Sequence, residues 1–161
     1  MKTWLKKVIL SMEKTIQQLQ EIVADYAPLL KTIQPDDFTF KSQPQQWSKK
    51  EIIGHLVDSA QTNARRFVVA QYEDKPALLY AQDYWVKAAG YQHYPVADLI
   101  CLWELLNKHI CIILQNVPAG FEEKECMTNE LRSIKWLAED YNKHLLHHLH
   151  QALHLEPVTY P

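Results

Sequence analysis

Four stretches of this chain repeat apolar residues at intervals of three and four. That period constrains the fold most, because it lays one sticky stripe along one side of an α-helix. The first stretch runs from Trp4 to Leu30 and carries Leu5, Val8, Ile9, Met12, Ile16, Leu19, Ile22 and Val23. Pro28 is expected to bend or end it. The second opens at Ser48, with Glu51 placed to reach back to the cap and Trp47 placed to pack on Ile52. Its stripe continues through Leu56, Ala60, Phe67 and Ala70 and should end before Pro76. The third opens at Pro95 and presents Leu99, Leu102, Trp103, Leu106, Ile110, Ile113 and Val117 before Pro118 stops it. The fourth begins near Ser133 and carries Ile134, Leu137, Ala138, Tyr141, Leu145, Ala152 and Leu155.

Four amphipathic helices without a convincing strand predict an all-α protein, a four-helix bundle. The stretch from Gln34 to Gln46 has no helical period and reads as a connection. Between the second and third long helices, Tyr80, Asp83, Tyr84, Trp85, Tyr91 and Tyr94 fall without periodicity. They read as a long aromatic loop that covers the core or roofs a pocket. With 161 residues, 47% of them hydrophobic, the chain can bury one substantial core. Only three glycines occur and the eight prolines are scattered, so no linker divides it, and residues 1–161 are expected to form a single domain.

A formal charge of −2, with both signs mixed along the chain, supplies no field to gather phosphates, so nucleic acid is not an expected partner. The apolar run after Lys2, Lys6 and Lys7 is broken by Ser11, Glu13 and Lys14, too early for a signal peptide. Leu99 to Leu114 contains Glu104, Asn107, Lys108 and His109 and fails as a membrane span. Cys101, Cys111 and Cys126 form no Cys-x-x-Cys spacing, which fits a reducing cytoplasm; the first two read as small core residues of an apolar helix.

Polar residues interrupt two of the stripes. His55, Ser59 and Asn63 lie in the second, so an imidazole points inward there. His144 and His148, four residues apart, place their rings one above the other on the buried face of the fourth. Three buried imidazoles are costly unless each finds a partner, and one divalent cation satisfies all three at ~2.0 to 2.1 Å. Three neutral histidines with one position open is the pattern of a catalytic site of the zinc type. The competing reading is three hydrogen-bonded core histidines, and spacing does not choose between the two. His147, His150 and His154 fall on a different face and read as solvated or packing residues.

Further residues carry a likeness. Trp47-Ser48 with Glu51, Gly54-His55-Leu56-Val57-Asp58-Ser59, then Asn63 and Arg66, resemble the second-helix signature of the DinB-like (YfiT-type) superfamily. Glu139-Asp140-Tyr141, His144, His147-His148-Leu149 and Gln151 resemble its last helix, where a His-x-x-x-His pair supplies two metal ligands. Asp83-Tyr84-Trp85-Val86 through Tyr91, and the Leu102 to Asn107 run with His109, resemble the same branch. The resemblance implies a four-helix bundle, a nickel- or zinc-type ion on His55, His144 and His148, and a homodimer. It leaves the reaction open, since members are described as metal-dependent hydrolases or as S-transferases of low-molecular-weight thiols such as bacillithiol and mycothiol.

The function expected from these readings is activation of water or a small thiol on one divalent ion, acting on a small-molecule substrate. Asp58 and Asp140 are candidates to accept the second ring hydrogen of His55 and His144, and Asn63 and Gln151 to line the pocket. Arg65 and Arg66 could receive an anionic group. The alternative class is a non-catalytic module that holds a structural metal or binds a partner. Because ligating imidazoles must be neutral, metal affinity is expected to fall below about pH 6.

Overall fold

The computed structural model describes the backbone of residues 2–160 and the side chains of residues 12–160. The first helix, α1, spans Lys2–Leu30, with Pro28 in its last turn. Its stripe residues Leu5, Val8 and Ile9 lie outside the described side chains, while Leu19, Ile22, Val23 and Leu30 are buried.

Three more long helices follow. α3 is Lys49–Tyr72, and its entry is the capping box expected from the sequence: Ser48 Oγ accepts from the Glu51 amide and Glu51 Oε2 accepts from the Ser48 amide. α5 is Val96–Gln115, with Pro95 as the cap rather than inside the first turn. α6 is Ile134–Leu153, capped by Ser133 Oγ on the Trp136 amide. Both α1 and α3 pack against α5 and α6. The helices that follow one another in the sequence, α1 and α3, therefore stand at opposite corners of the bundle. One contiguous core joins the four, with Phe67, Trp103, Tyr141 and Leu145 fully buried. Among the described residues, no helix is long and apolar enough to cross a membrane.

The connections hold more structure than their composition predicts. Within 34–46 a short helix, α2 (Pro35–Thr39), starts on Pro35 and buries Phe38. The aromatic segment is not simply a loop: Gln82–Ala89 forms α4, Gly90 closes it in the left-handed region (φ 63), and Tyr91–His93 makes a 3₁₀ turn. Val86 and Tyr91 face the core, while Tyr84 stays exposed. Two strands also occur against expectation, β1 (Glu125–Met127) and β2 (Leu131–Ser133), an antiparallel hairpin with Cys126 opposite Arg132. Three-residue strands are too short to display a period of two, and a parallel bridge from Ala77 to Met127 anchors this pair to the chain leaving α3.

All three cysteines are free; Cys111 and Cys126 are buried, but Cys101 is exposed, so only one of the two helix-borne cysteines is a core residue. The helical stripe is narrower than the apolar run that contains it.

Candidate metal centre

Helices α3 and α6 are neighbours, and their packing brings three imidazoles from distant parts of the chain together. His55 is fully buried on α3, and its Nε2 lies 3.0 Å from Nε2 of His144 on α6. The ring of His148 stands 4.8 Å from that of His55 and 4.6 Å from that of His144, centroid to centroid. One ligand atom from each residue falls within 4.8 Å of the other two, so the three side chains could hold a single ion.

The outer nitrogens matter for the fit. His148 Nδ1 donates to Gln151 Oε1 at 2.9 Å, which leaves Nε2 with the free lone pair. His144 Nδ1 stands 3.5 Å from Ser59 Oγ, and His55 Nδ1 is buried without a partner. Burial pushes the His55 imidazole down to about 3 and that of His144 to about 2, with His148 adding repulsion in both cases; His148 is also lowered, first by burial. Neutral rings, with two Nε2 atoms almost touching and no protein donor aimed at both, suit a shared cation: ligands at ~2.0 to 2.1 Å from one ion stand roughly 3 Å from each other.

Both carboxylates singled out in the sequence are placed otherwise than expected. Asp58 accepts a 2.6 Å hydrogen bond from Tyr91 Oη through Oδ1, and its Oδ2 is buried without a partner, so it does not bond His55. Tyr91 can reach it because Gly54 leaves room beneath the ring. Asp140 accepts from Tyr160 Oη at 2.9 Å, not from His144. The i+3 and i−4 spacings put each carboxylate near its histidine, but a tyrosine from another part of the chain offers each one a donor first.

A cavity of about 530 Å³ opens beside His144, a volume that suits a small molecule. Ser59, Asn63, Asp140 and Tyr141 form its helical walls, Tyr80 with Thr128, Asn129, Glu130 and Arg132 of the hairpin its rim, and Tyr160 one flank. Asn63 therefore does line it, with its amide held by Ser59 and its Oδ1 accepting from Arg66. Gln151 lies outside, on the His148 side. Arg66 spends Nε and Nη2 on the Leu78 carbonyl at 3.0 and 2.8 Å and acts as a strut, while Arg65 is exposed. The rim cation is Arg132, stacked 4.3 Å over the Trp136 ring and paired with Glu130. Tyr80 comes from the aromatic segment expected to cover the core or roof a pocket, whereas sequence reasoning missed Arg132 and Tyr160, and no periodic signal marks them, since each lies outside a long helix.

A bundle of four long helices with two imidazoles on one helix and a third on its neighbour defines a helical protein with a candidate three-histidine ion site. The chain belongs to the DinB superfamily, whose sequence profile matches residues 18–152. Among solved structures it is similar to YfiT from Bacillus subtilis, with a TM-score of 0.79 and 18% sequence identity over 88% of this chain and 83% of that one. That structure is described as a probable metal-dependent hydrolase with an unusual four-helix bundle topology. At this identity the likeness establishes the fold. No curated protein matches the chain.

Proposed function

We propose that this protein is a metal-dependent enzyme whose His55, His144 and His148 hold one divalent cation, zinc or nickel, and whose cavity beside His144 presents a small-molecule substrate to it. The observation that carries the reading is the convergence of three neutral imidazoles from two helices, one of which, His144, lines that cavity. Zinc and nickel both suit imidazole donors. Such an ion supplies Lewis acidity, which lowers the pKa of water or a thiol and polarises an acceptor carbonyl.

The chain's own groups do the rest. Gln151 fixes the tautomer and tilt of His148 through Nδ1, and Ser59 stands at the corresponding nitrogen of His144. Tyr141, buried and bonded through its hydroxyl to Asn107 Oδ1 at 2.7 Å, braces α6 against α5 at the cavity wall. Arg132 and Trp136 offer a cation and an aromatic face at the rim for the outer part of a substrate.

Hydrolysis is the leading reaction, supported by the description of the YfiT structure that shares this fold. Transfer of a low-molecular-weight thiol is the second reading, since an ion on three imidazoles can ionise a thiol as well as water. Elemental analysis of protein purified without a histidine tag is the first test. It should give about one metal per chain, lost in a His144→Ala, His148→Ala double variant. Full metal content in that variant would remove the assignment. Esters and amides, run beside thiols with electrophilic acceptors, then separate the two reactions, and no turnover in either panel favours a non-catalytic metal module.

A further inference from the structure

Helix α6 ends at Leu153, and His154, in the left-handed region (φ 53), turns the chain back on itself. The returning segment is tied to the helix by the histidines that lie off the ligand face. His150 Nδ1 donates to the Glu156 carbonyl at 2.7 Å, and its Nε2 accepts from Tyr26 Oη of α1 at 2.7 Å. His147 Nδ1 donates to the Val158 carbonyl at 2.8 Å. The segment then delivers Tyr160 to the cavity, where its hydroxyl donates to Asp140 and its ring stands edge-on to His144, 5.5 Å between centroids.

We propose that residues 154–160 form a strap, and that Tyr160 is an access- and specificity-determining wall of the site, screening the His144 side of the cluster and limiting what can reach it from that flank. This rests on the proposed ion site for its function but not for its geometry. Residues 155–160 form no helix or strand, and the segment is tied at Glu156, Val158 and Tyr160. The ties are also weak: each is a single hydrogen bond of about 1 kcal/mol net, and Leu155 is exposed rather than anchored in the core. A strap so held is secured against the helix yet can lift without unfolding the bundle. It also gives His147, His150 and His154 a shared task, two as clamps and one as the turn.

The test has two arms, each on the full chain. In the first, zinc-loaded protein is mixed with excess 4-(2-pyridylazo)resorcinol and metal release is followed by absorbance. Tyr160→Ala should release zinc roughly tenfold faster at unchanged initial stoichiometry, as should His147→Ala combined with His150→Ala, while Tyr160→Phe, which keeps the ring, falls between. In the second, metal-free protein is treated with diethyl pyrocarbonate and modification of each histidine is read by mass spectrometry. His144 should react faster in Tyr160→Ala, with buried His55 unchanged as the internal control. Equal release rates, or equal His144 reactivity, in variants that melt cooperatively like the parent overturn the strap. Wild-type protein that takes up no zinc overturns the ion site instead, and the second arm still decides the strap.

Discussion

The ring of Tyr91 lies directly over Gly54, so close that a β-carbon on residue 54 would stand 2.1 Å from its Cδ2. This contact joins the turn after α4 to α3 one residue before His55, and it lets the Tyr91 hydroxyl reach Asp58. A single methyl group at this point meets the flat of a buried aromatic ring rather than a flexible tip.

Gly54→Ala is accordingly expected to destabilise the protein by about 1 to 3 kcal/mol, despite alanine's better helix propensity. Denaturant unfolding checks this. A stabilised variant would mean that Tyr91 is free to move aside. The companion change Tyr91→Phe keeps the packing but leaves Asp58 buried with neither oxygen bonded, and should destabilise by a similar amount.

Asn107 and Tyr141 are both buried and bonded to each other across α5 and α6. Asn107→Ala removes the acceptor and opens a small void, so a loss of about 1 to 3 kcal/mol in thermal or chemical denaturation is expected. Tyr141→Phe combined with Asn107→Leu, which removes both polar groups, should lose less than Asn107→Ala alone.

Gln151 is exposed and touches no substrate wall, yet it orients His148. Gln151→Ala should weaken zinc or nickel binding by roughly 10- to 100-fold, with little change in the stability of the metal-free chain. Competition with a chelator of known affinity measures the first quantity and thermal melting the second. Unaltered affinity would mean that the His148 ring is held by packing alone.

Unfolded imidazoles take up protons near pH 6.5, whereas in the folded chain burial holds His55 down to about 3 and His144 to about 2. Between roughly pH 6.5 and 3 the unfolded state therefore binds more protons than the folded one, and stability drains away as the pH falls through that window. The melting temperature of metal-free protein should drop steadily below pH 6.5, and a His55→Leu, His144→Leu variant should show a shallower slope. Parallel slopes would argue that these rings are accessible to solvent protons in the native state.

Features that depend on near neighbours along the chain were legible before any fold was known. The period of three and four gave four helices, Ser48 with Glu51 gave the start of α3, and the i,i+4 spacing put His144 and His148 on one face. Each is a property of a few residues under one backbone geometry, so it is legible without knowing what lies opposite.

Which helix faces which is set by tertiary packing; that His55 meets His144 across 89 residues of sequence was implied by the family resemblance and not by spacing, and the packing of α3 on α6 brings it about. Tertiary structure also decided where Asp58 and Asp140 spend their oxygens, because tyrosines from separate segments arrive there first. The hairpin, the turns around α4 and the returning strap follow the same logic. Short irregular segments have too few residues to carry a period, and their shape is set by long-range contacts such as the Ala77–Met127 bridge and the His147 and His150 clamps.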